Sequence, residues 1–142
     1  MTTNPMGAGV ASTDSVTPPA RNALFSALVG LATLAVFLQS VWAGMMIREG
    51  KDYNATWVHV HDWGARAAFV LALLATVVAV WKLRSRLDLL IGAAALTVLI
   101  YLESYIGGII GDKPASVAVH IPLAFAILAL AVWLPFRTMR SR

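Results

Sequence analysis

Apolar residues run through the chain in four long blocks, at 22–47, 60–81, 87–110 and 115–136, divided by short polar breaks. Each block is close to the roughly 20 residues that carry a helix across a ~30 Å hydrocarbon core. The breaks are short, so successive helices must run antiparallel. The pattern predicts an all-α membrane protein: a four-transmembrane-helix antiparallel bundle over residues 21–142. Residues 1–20 are small and polar, rich in Gly, Ser, Thr and Pro. Such a segment has too little apolar surface to order itself, which predicts a disordered cytoplasmic tail. It lacks the basic start and apolar stretch of a secretory signal.

The first and third blocks share a pattern. Leu38-Gln39-Ser40-Val41-Trp42-Ala43-Gly44 aligns with Leu102-Glu103-Ser104-Tyr105-Ile106-Gly107-Gly108, and downstream His61-x-x-x-Ala65 aligns with His120-x-x-x-Ala124. This reads as a duplicated two-helix unit, with the extra residues of the first half in its outer loop. Duplication implies an approximate two-fold axis along the membrane normal. His61 and His120 would then face each other across that axis, about one turn from the outer surface, with Gly44, Gly107 and Gly108 at similar depth on the partner helices.

Composition supports the bilayer as solvent. Of 142 residues, 59% are hydrophobic and 13% charged, and the mean hydropathy is +0.76. A soluble domain carries roughly a quarter charged residues. The net charge of +4 arises from Lys and Arg at helix ends, not from an aromatic-interleaved face. It therefore reads as membrane topology and not as nucleic-acid binding. Lys82, Arg84 and Arg86 follow the second block, Arg137, Arg140 and Arg142 follow the fourth, and Arg21 precedes the first. Basic loops stay inside. The expectation is a multi-pass protein of the plasma membrane with both termini cytoplasmic. Trp42, Trp57, Trp63, Trp81 and Trp133 fall near the expected interfaces. The chain has no cysteine, which excludes disulfides, Fe–S clusters and covalent haem attachment.

Two neutral imidazoles on facing helices suit a six-coordinate haem b. Glycines opposite would let a flat macrocycle lie close to backbone. Arg48, Lys51, Arg66 and Lys113 are the cations within reach of propionates. The plainer alternative is that His61 and His120 are interfacial histidines reaching for water. His59 lies about 200° around a helix from His61, so both cannot point inward. It belongs to the loop or headgroup zone and is the substitute ligand. Glu103 is an intramembrane carboxylate, a functional candidate by position. It could relay protons, contact a quinone, or bond Arg66 or Gln39 as interhelical glue. Asp62–Arg66 is an i,i+4 surface pair.

These histidines and glycines resemble one four-helix half of haem A synthase. Gly44-Met45-Met46-Ile47-Arg48 is similar to that family's Gly-Gly-x-Val-Arg stretch, and His61 and His120 match its paired ligands. The similarity spans residues 34–133. The chain also resembles small actinobacterial four-helix membrane proteins. The resemblance implies haem binding and self-association. The family's Glu one turn before the histidine is replaced by Trp57-Val58-His59-Val60, and its loop cysteines are missing. Glu49 could substitute only if the loop folds back. Three functions compete: haem-b electron transfer or haem handling, a cofactor-free accessory or assembly subunit of a larger complex such as a respiratory one, and a haem A synthase-like enzyme. Catalytic candidates are limited to Glu103 and Glu49.

Overall fold

In a computed structural model, residues 22–49 and 56–139 are described. Four helices follow in order: α1 (Ala23–Glu49), α2 (Thr56–Lys82), α3 (Leu87–Gly108) and α4 (Val117–Met139), the last preceded by a 3₁₀ turn at Pro114–Ser116. All four are long and apolar enough to cross a membrane. α1 and α4 start one and two residues later than predicted and end two and three residues later; α2 starts four residues earlier and ends one later, and α3 starts as predicted and stops two residues short. The earlier start of α2 places His59 inside its first turn rather than in the loop. Tail 1–20, Lys51 and the Glu49 side chain lie outside the described residues.

Each helix packs on its chain neighbours, and α1 closes the ring against α4. α2 and α4 are therefore diagonal, as are α1 and α3. Small residues allow the close approach that membrane bundles use in place of a hydrophobic driving force. The inward face of α2 is an alanine stripe: Ala68, Ala72, Ala75 and Ala79, each at most 1% exposed.

The duplication read from the sequence is written into the burial pattern. The buried residues of α1 are Phe25, Val29, Ala32 and Val36, and a shift of 64 positions carries them onto Leu89, Ala93, Leu96 and Ile100, all buried in α3. A shift of 59 carries the α2 alanines onto Ile127, Ala131, Leu134 and Thr138, all buried in α4. The same shifts pair Gln39 with Glu103 and His61 with His120.

Packing is uneven along the axis. Among the described residues, every buried hydrophobic side chain lies in one half, built from the start of α1, the end of α2, the start of α3 and the end of α4. That half ends at the basic 82–86 loop. There Asp88 gathers two arginines: Arg86 donates Nε to one carboxylate oxygen at 3.1 Å and Nη2 to the other at 3.0 Å, and Arg137 donates Nε at 2.6 Å. These bonds push the Arg86 guanidinium further up, so it is charged at any physiological pH. The opposite half holds His61, His120, Gln39 and Glu103.

Candidate functional site

The less packed half is where the paired residues meet. His61 and His120 each lie seven residues, two helical turns, outside the first buried hydrophobic side chain of their helix, Ala68 and Ile127 respectively. Seven residues return a helix to nearly the same face, so both imidazoles continue the inward stripe. They come from diagonal helices. His61 is the sixth residue of α2 and His120 the fourth of α4, so both lie within about a turn and a half of the helix starts.

Each imidazole also leans on the preceding helix. The Gln39 side chain from α1 reaches α2. In the amide orientation that satisfies its neighbours, its nitrogen donates to His61 Nδ1 at 2.9 Å and to the His61 carbonyl at 3.0 Å, while its oxygen accepts from the Ala65 N–H at 3.0 Å. The equivalent pair is Glu103 and His120, with Nδ1 3.0 Å from the carboxylate Oε1. This approach is close, but the ring N–H is not aimed at the oxygen. Nδ1 of His120 and both Glu103 oxygens are therefore buried without a hydrogen-bond partner among the described residues. Glu103 thus bonds neither Arg66 nor Gln39, the two partners considered from sequence, but sits against His120.

The glycines divide. Gly107 seats His120: a Cβ there would stand 3.0 Å from ring Cε1. A Cβ at Gly44 or Gly108 would meet nothing within 4 Å. The sequence reading assigned all three to a macrocycle slot, yet Gly107 is occupied by the imidazole itself. Gly64 was missed. It is buried, and a methyl there would collide with the Trp42 ring and the Gln39 amide. Gly64 lies on the His61 helix one turn further in, and this spacing was the available signal.

The cations do not converge. Arg66 is turned outward, bonded to Asp62 at 2.8 Å with side chains 64% and 52% exposed, and lies 5.2 Å from the centre of the Trp63 ring. That exposed i,i+4 pair contributes only a few tenths of a kcal/mol. Arg48 and Lys113 are exposed at the same end of the bundle, and His59 is exposed on α2. No group of three or more His, Asp or Glu side chains among the described residues could hold a bare metal ion. The available chemistry is therefore two imidazoles, one carboxylic acid and one amide in an apolar bundle.

Comparison with protein-family models, with characterised proteins and with solved structures finds no match to this chain.

Proposed function

We propose that this is a membrane protein holding a b-type haem between His61 and His120, for electron transfer or haem handling. One observation carries the reading. Two imidazoles on diagonal helices share one register relative to the core, in the half of the bundle that no buried hydrophobic side chain fills. The donor set suits the group: two neutral imidazoles are nitrogen donors that could hold a b-type haem.

When bound, haem would supply one-electron exchange. The chain's own residues would hold it and tune it. His61 and His120 would hold it through ring nitrogens, and Gln39 and Glu103 would orient the rings through hydrogen bonds, the usual way a protein adjusts a ligand's basicity. Arg48 and Lys113 are the cations left for propionates, since Arg66 is engaged by Asp62. Were both imidazoles to hold the group, electron transfer would be favoured over substrate oxidation, and the missing glutamate and cysteines argue against a haem A synthase-like activity. The Lys and Arg bias supports a plasma-membrane location with both termini inside, which places the site toward the outer face. A haem-b carrier needs a redox partner, so a second copy or a respiratory complex is the expected neighbour.

The second reading is a cofactor-free accessory subunit. It is favoured by the contact of each imidazole with a polar group of the adjacent helix, which is also how bundles are glued. Oxidised and reduced spectra of the detergent-purified protein separate the two. A sharp α-band lost in His61→Ala and His120→Ala supports haem. A colourless, folded protein that stays colourless on haem addition supports the subunit.

A further inference from the structure

The two halves of the site are alike in position but unlike in hydrogen-bond logic. Glu103 can present only acceptors when ionised. Gln39 carries both a donor and an acceptor, and which end faces the histidine is decided by α2 itself. The Ala65 N–H and the His61 carbonyl, four residues apart and partners in the α2 ladder, lie on either side of the amide at 3.0 Å each, so the amide shares a second bond with each of them. The reversed orientation would set oxygen against oxygen and N–H against N–H. The amide nitrogen is therefore held toward His61, and it donates to Nδ1 at 2.9 Å. An Nδ1 that accepts a hydrogen bond has no proton, so in the neutral ring the proton is on Nε2.

We infer that Gln39 is a positioning residue that locks His61 in the Nε2–H tautomer, so that this imidazole becomes an iron ligand only after the amide gives up its present orientation. The tautomer assignment stands on the hydrogen bonds alone; the consequence for ligation rests on the haem reading. In the locked form Nε2 carries a proton and Nδ1 is covered by the amide, so neither nitrogen offers a free lone pair. Coordination through Nε2 moves the proton to Nδ1, which then needs an acceptor where Gln39 now presents a donor. At the equivalent position Glu103 offers no such opposition to His120. The first ligand to engage is then His120, and His61 follows.

The test is ¹⁵N NMR of histidine-labelled, cofactor-free protein in nanodiscs, with His61→Ala used to assign the signal. Wild type should show His61 with Nε2 protonated and Nδ1 bare. Gln39→Glu replaces the donor by an acceptor and should move the proton to Nδ1. Gln39→Met, which offers neither, should give a mixture and covers the case in which the glutamate variant fails to fold. An identical His61 pattern in wild type and in the folded variants overturns the assignment. Haem titration supplies the second arm. Gln39→Glu should bind haem roughly 2- to 10-fold tighter, the range set by one neutral hydrogen bond. A residue that merely braces the helices would bind more weakly when changed, and that result overturns the ligation part. Wild-type protein that takes up no haem sinks the haem reading, while the NMR arm still decides the tautomer.

Discussion

Thr33 on α1 donates its hydroxyl to the carbonyl oxygen of Ala131 on α4 at 2.7 Å. That carbonyl is the one Pro135, four residues on and without an N–H, leaves without a helical donor. The other half of the bundle repeats the device with different atoms. Thr97, equivalent to Thr33, meets the Thr76 hydroxyl at 3.0 Å, and Thr76, equivalent to Pro135, bonds the Ala72 carbonyl at 3.0 Å. A proline and a hydroxyl in one half do what two hydroxyls do in the other. Thr33→Val should destabilise the bundle by about 0.5–1.5 kcal/mol, the range for interhelical hydrogen bonds in membranes. Pro135→Ala restores a helical N–H and should cancel most of that loss. A double-mutant cycle in detergent unfolding without coupling would contradict the assignment.

Gly107 and Gly108 are adjacent but unequal. Gly107→Leu should displace His120 and, on the haem reading, broaden or abolish the α-band. Gly108→Ala faces open space and should leave spectrum and stability unchanged. Equal effects from the two would show that His120 is not seated on Gly107.

Gly64→Val places two methyls where the Trp42 ring and the Gln39 amide now lie. Overpacking of this kind costs about 1–3 kcal/mol. Pairing it with Trp42→Ala should recover part of the loss. Unchanged thermal stability in the single variant would rule out the contact.

Asp88 ties the 82–86 loop to the end of α4 through Arg86 and Arg137. Its carboxylate is about a quarter exposed, so solvent screens the cluster. Asp88→Asn should therefore cost about 1–2 kcal/mol, near the lower end for bonds between charged groups. Melting in high salt should narrow the gap between variant and wild type. A salt-independent difference would point to a packing effect.

The chain has no cysteine, so single substitutions report topology directly. Ser85→Cys should resist an impermeant maleimide applied to intact cells, and Asp112→Cys should react. The reverse pattern would invert the orientation and place the histidines toward the cytoplasm.

Much of the site was legible because the duplication is visible in the letters. The alignment of Gln39 with Glu103 and of His61 with His120 already contained both contacts. What could not be read was the partner of each group. Glu103 has Arg66, Gln39 and His120 all within a plausible reach by spacing, and only helix rotation selects His120. Arg66 was open to Glu103, to propionates or to Asp62 as an i,i+4 partner, and the rotation of α2 selects Asp62, beside the Trp63 ring.

The sequence by itself determined four apolar spans, their antiparallel order and the equivalence of the two halves, since span length, loop length and repeat register are properties of the chain alone. The tertiary structure decided which half is packed, that Gly107 seats an imidazole, and which way the Gln39 amide points. These depend on how helices rotate against one another and on backbone groups of a neighbouring helix, which no pattern along a single strand of residues encodes.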